Sequence, residues 1–63
     1  MNVGENIKRL RLQCDMTQEK LAEFVGVNQA MICQIERGTK IPTLLLAKSI
    51  ADTLECSVLD FLS

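Results

Sequence analysis

The side chains able to do chemistry are few. Among 63 residues there are three cysteines, Cys14, Cys33 and Cys56, and no histidine. An odd number of cysteines without C-x-x-C spacing completes neither a disulfide framework nor a zinc site, so no metal is expected. They read as buried or half-buried thiols in a reducing cytoplasm. The carboxylates are spread along polar faces, and the chain has neither a G-x-S-x-G run nor a phosphate loop. No catalytic site is expected, and with it no enzyme and no cofactor.

Charge is the next chemical resource. Seven Lys and Arg against eight Asp and Glu give a formal net charge of -1. That balance argues mildly against nucleic acid, because such modules bind largely by neutralising phosphates. The distribution softens the objection. From Arg37 to Ala51 the only charges are Arg37, Lys40 and Lys48, whereas Asp52, Glu55 and Asp60 make the C-terminal part wholly negative. Such a molecule would carry a basic face and an acidic back.

Elements must position these groups. At this length one domain over residues 1–63 is expected, with roughly 60% of the unfolded surface buried. Hydrophobic residues make up 48% and charged residues 24%, a mixture that folds. Nothing resembles a leader or an anchor. The first residues, Met1 to Glu5, hold no apolar core segment, and the run Leu44 to Ala47 is too short to span a bilayer. A cytoplasmic protein with no membrane partner is expected.

Helical periodicity places helix one over Ile7 to Leu12, with Ile7, Leu10 and Cys14 on one face and Lys8, Arg9 and Arg11 elsewhere. Asp15 suits a left-handed C-terminal position. Thr17 supplies the N-cap of helix two, which runs through Val25 with Leu21, Phe24 and Val25 inward. Gly26 suits a sharp reversal, and Asn28 caps helix three, Gln29 to Arg37, anchored by Ile32 and Ile35. Gly38 to Pro42 reads as a stop and a loop. Thr43 caps helix four with Leu44, Ala47, Ile50, Ala51 and Leu54 in its stripe. Ser57 caps a last short helix containing Val58, Phe61 and Leu62. The expectation is an all-α, compact five-helix domain without strands.

The three-residue connection Gly26-Val27-Asn28 forces helices two and three into a sharp crossing, the geometry of a helix-turn-helix. Ala22, four residues before Gly26, supplies the small contact such a crossing needs.

The run from Thr17 to Gly38, TQEKLAEFVGVNQAMICQIERG, resembles the Xre/Cro family of phage and bacterial repressors, whose pattern is T-Q-x-x-L-A-x-x-x-G-V-x-x-x-x-I-x-x-I-E-x-G. The resemblance continues through Pro42-Thr43-Leu44 and from Leu54 to Val58. It implies a compact repressor-like domain that binds double-stranded DNA, with helix three in the major groove. Base reading would fall to Gln29, Ala30, Cys33 and Gln34. Glutamine bonds adenine in a bidentate way, and alanine meets a thymine methyl. Gln18, Asn28, Arg37, Lys40, Lys8 and Arg9 would hold phosphates. Arg11 and Glu36 would form a structural ion pair joining helix one to the end of helix three.

Two departures stand out. Cys33 carries a thiol where a stronger hydrogen-bonding reader would be expected. Asp15 and Glu55 stand where the family commonly has glycine, so those helix ends should carry strain. Leu45, Val58 and Leu59 leave more apolar surface than so small a monomer needs. The resemblance implies that this surface makes a homodimer reading an inverted-repeat operator. A protein partner, as in an antitoxin-type module of the same fold, is the alternative.

Overall fold

Each helix begins on a side chain that accepts a backbone N–H left unbonded by its first turn. The computed structural model describes residues 2–62; Met1 and Ser63, the ends of the domain expected over 1–63, lie outside the described residues. Asn2 Oδ1 accepts from Glu5 N–H at 3.0 Å and starts α1, Val3–Gln13. Thr17 Oγ1 accepts from Lys20 N–H at 3.0 Å and starts α2, Gln18–Val25. Asn28 Oδ1, at 2.9 Å from Met31 N, starts α3, Gln29–Arg37. Thr43 Oγ1, at 3.2 Å from Leu46 N, starts α4, Leu44–Thr53. Such a cap contributes about 1 kcal/mol to its helix.

The last element differs from expectation. Four α-helices are followed by a 3-10 turn, Val58–Phe61, and not by a fifth α-helix. Ser57 and Asp60 cap each other's backbone N–H groups across this four-residue segment, a length at which the tighter 3-10 geometry is common. No strand occurs among the described residues.

The core is built from Ile7, Leu21, Ile32, Ile35, Ile50 and Phe61, all fully buried, with Ala22, Ala51 and Leu54 filling between them. α3 packs on both α1 and α2, α4 packs on α2, and the 3-10 turn closes against α1 and α4. Asn6 fastens that closure by donating from Nδ2 to the Phe61 carbonyl at 2.9 Å. Each large apolar side chain so enclosed contributes about 1.5–3 kcal/mol.

Four apolar expectations are corrected. Phe24 is 64% exposed, because Ala22 and not Phe24 completes the buried stripe of α2 with Leu21. Leu44 lies at the first position of α4 and faces outward at 77% exposure; Ala47, Ile50 and Ala51 hold the inner face. Leu62 follows the last turn and is largely exposed, and Cys14 lies exposed at the end of α1.

α1 also starts four residues before Ile7, where Asn2 caps it, and its first turn carries Gly4. A Cβ built there would fall on the Ile35 carbonyl oxygen and lie 2.9 Å from that of Glu36. Hydrogen at this position lets α1 rest directly on the backbone of α3.

Candidate nucleic-acid interface

The crossing of α2 and α3 follows from local backbone chemistry. Gly26 ends α2 at φ 76, a left-handed conformation that costs glycine nothing, and its N–H bonds to the Ala22 carbonyl. Val27 N–H bonds to the same carbonyl at 3.0 Å, and Asn28 then restarts the helix. Ala22 is buried beneath this reversal, as its small size requires.

Ile32, Ile35 and Glu36 turn the inner face of α3 into the molecule. On the outer face Gln29, Ala30 and Gln34 are exposed, and Cys33 is half-buried between the two faces. The Gln34 backbone is held in turn: its carbonyl accepts from Thr39 N–H at 3.0 Å and from Thr39 Oγ1 at 3.1 Å. The end of α3 therefore has a fixed exit into the loop that carries Lys40.

Behind this face Arg11 and Glu36 meet. Arg11 Nε donates to Glu36 Oε2 at 2.7 Å and Nη2 donates to Oε1 at 3.1 Å, both side chains being buried. Arg11 Nη1 also donates to the Met16 carbonyl at 2.6 Å. Gln18 joins the group by donating from Nε2 to Glu36 Oε1 at 3.0 Å. The Glu36 carboxylate thus accepts bonds from α1 and α2 while belonging to α3. Sequence reading assigned Gln18 to phosphate only and missed this bond, since nothing local signals a contact across 18 residues.

The basic side chains stand at the surface. Lys8, Arg9, Arg37 and Lys40 are exposed, and Arg9 reaches Asn6 Oδ1 at 3.5 Å. Lys48 is engaged locally, 2.6 Å from Asp52 one turn on, so the basic tract from Arg37 to Ala51 is partly neutralised within α4. Asn28 has its side-chain oxygen committed to the α3 cap. Leu45 and Leu59 are 82% and 71% exposed, whereas Val58 is half-buried against the core. No described helix is long and apolar enough to cross a membrane.

A crossed helix pair with a short glycine-initiated turn, its second helix anchored inward by two isoleucines and bearing exposed amides outward, defines a helix-turn-helix domain. The chain belongs to the HTH_3 helix-turn-helix family of DNA-binding transcription regulators, of Xre/Cro/C1 type, whose model matches residues 7–61. It is 39% identical over 54 residues to the uncharacterised HTH-type transcriptional regulator YgzD of Bacillus subtilis strain 168, a match covering 86% of this chain and 82% of that protein. It is 33% identical over 58 residues to the immunity repressor of Bacillus phage phi105, covering 92% of this chain and 40% of that protein. Among solved structures, the P22 c2 repressor in complex with a synthetic operator superposes with a TM-score of 0.90 at 28% identity, over 97% of this chain and 92% of that one. The biofilm regulator SinR in complex with DNA also superposes at 0.90, with 27% identity, over 97% and 98% of the two chains.

Proposed function

We propose that the chain acts as one domain that represses transcription by binding, as a homodimer, an inverted-repeat operator in cytoplasmic double-stranded DNA. The observation that carries this reading is the exposed face of α3, where Gln29, Ala30 and Gln34 project from a helix whose opposite side is locked into the core. Gln29 and Gln34 are matched to adenine edges, Ala30 to a thymine methyl, and half-buried Cys33 to shape alone. Lys8, Arg9, Arg37 and Lys40 neutralise phosphates. Gln18 and Asn28 add hydrogen bonds at the starts of α2 and α3, where oriented N–H groups favour anions. The operator complexes of the P22 c2 repressor and SinR support this docking by likeness.

Leu45, Leu59 and the accessible part of Val58 serve as the contact with a second copy. Two recognition helices related by a twofold axis would then stand about 34 Å apart, one turn of DNA. The exposure of Leu59 and Leu62 beside the acidic residues Glu55 and Asp60 favours a second use of this surface, as the seat of a protein partner in an antitoxin-type module.

Selection of bound sequences from random duplex DNA at two salt concentrations tests the reading. Enrichment of an inverted repeat, weakened by salt and relaxed by Gln29→Ala and Gln34→Ala, is the expected result. A folded protein that enriches no sequence at either salt rules out autonomous operator binding.

A further inference from the structure

Two of the three cysteines lie at facing helix ends that the DNA-reading scheme does not use. Cys14 closes α1 and Cys56 follows α4. Cys14 Sγ is directed at the carbonyl of Leu54, 3.7 Å away, and Leu54 is the last residue but one before Cys56. Between them Glu55 takes φ 56, and the Cys56 N–H folds back onto the Ala51 carbonyl at 2.9 Å, which turns Cys56 toward the body of the domain. Cys14 is exposed, and Cys56 is half-buried against the core.

We propose that Cys14 and Cys56 form an oxidisable thiol pair that closes as an intramolecular disulfide, joining the end of α1 to the end of α4, when the chain meets a low-molecular-weight disulfide oxidant. The Cys14 thiolate attacks one sulfur of the small disulfide, whose S–S bond breaks and releases one small thiol. The Cys56 thiolate then attacks the Cys14 sulfur of the mixed disulfide and expels the second small thiol. Two protein thiols are oxidised, one small disulfide is reduced, and the two protons given up by the cysteines end on the two released thiols. The order follows from exposure, because Cys14 is the more exposed of the two thiols. Burial, with Asp60 and then Cys14 adding negative charge nearby, pushes the Cys56 thiol up, which disfavours its thiolate and makes Cys56 a poor site for the first attack on the oxidant.

Cys33, on α3, takes no part. The cross-link constrains the unfolded chain between residues 14 and 56 and leaves the outward face of α3 untouched. Its effect is therefore on persistence of the fold under oxidation and not on operator choice.

The test is to equilibrate the intact chain with a graded ratio of oxidised to reduced glutathione and to map the products by mass spectrometry. Loss of two hydrogens, one peptide pair joining Cys14 to Cys56, and a melting temperature raised by about 15–30 °C are expected. Cys33→Ser leaves all three results unchanged, and Cys14→Ser abolishes them. Separate glutathione adducts on Cys14 and Cys56 in a protein that stays folded by circular dichroism would overturn the proposal. So would a bridge to Cys33.

Discussion

The Glu36 carboxylate receives two bonds from the Arg11 guanidinium, at 2.7 and 3.1 Å, inside a domain of only 63 residues. Removing one partner strands the other charge in a buried site, which costs about 3–5 kcal/mol. Arg11→Ala should therefore bring chemical denaturation to much lower urea. Arg11→Met combined with Glu36→Leu should retain more stability than Arg11→Ala alone. A loss below about 1 kcal/mol in the single variant would show that the pair does not hold α1 to α3.

Gly4 offers a prediction of sign. An alanine in a helix ordinarily stabilises relative to glycine by about 0.5–1 kcal/mol. At residue 4 the added carbon meets the carbonyls of Ile35 and Glu36, backbone atoms that cannot swing aside. Gly4→Ala should instead destabilise by about 1–3 kcal/mol, as overpacking does. A rise in melting temperature for this variant would refute the close approach.

Asp15 and Glu55 adopt φ of 54 and 56, values that glycine takes without strain. The strain expected at these two helix ends is present in the backbone. Glu55→Gly should stabilise by about 0.5–1 kcal/mol once the greater freedom of the unfolded glycine chain is subtracted, and Asp15→Gly by less. Thermal melts of the two variants give the comparison directly, and a fall in stability for both would contradict it.

The two phenylalanines should respond oppositely to truncation. Phe61 is 1% exposed, so Phe61→Ala should cost about 3–5 kcal/mol. Phe24 stands 64% exposed with the Lys20 ammonium 6.0 Å from its ring, and Phe24→Ala should stay within about 0.5 kcal/mol of the parent. Comparable losses at both sites would mean that Phe24 is covered in solution, as by a second molecule.

Operator reading and phosphate neutralisation separate in their dependence on salt and sequence. On the proposed reading, Gln29→Ala should lose about 1–3 kcal/mol of discrimination at one base pair, with the fold unchanged. Lys40→Ala should weaken binding to every sequence alike and lower the salt slope by about 1. Titrations on matched and mismatched duplexes at several salt concentrations resolve the two. An effect of Lys40→Ala confined to one sequence would reassign that residue.

The residues that announced themselves in the sequence are those whose role is settled within one helical turn. Thr17, Asn28, Thr43 and Ser57 cap where hydroxyl and amide side chains precede apolar periodicity, and Gly26 reverses the chain where a left-handed residue was needed. Asn2 and the early start of α1 were missed because Val3 and Gly4 are poor helix formers. Gly4 is tolerated for a reason that lies in α3. Periodicity alone turns Phe24 and Leu44 inward, because over a helix of eight or ten residues it leaves the edge of the buried stripe undecided. The Arg11–Glu36 pair was reached through family resemblance, and the bond from Gln18 to Glu36 by neither route. In the polar frame behind α3, the Arg11–Glu36 pair matches what the resemblance implies, whereas the bonds from Gln18 and to the Met16 carbonyl join residues whose contact no local pattern signals.

α3 divides its labour between its two faces. Ile32, Ile35 and Glu36 attach it to the rest of the molecule, while Gln29, Ala30 and Gln34 hold nothing up. A chain built this way is a chassis with an interchangeable head. Substitutions at the three outward positions alter what the surface displays without drawing on the margin that keeps the domain folded. On the proposed reading, new binding preferences can therefore be sampled one residue at a time, each intermediate remaining a folded protein on which selection can act.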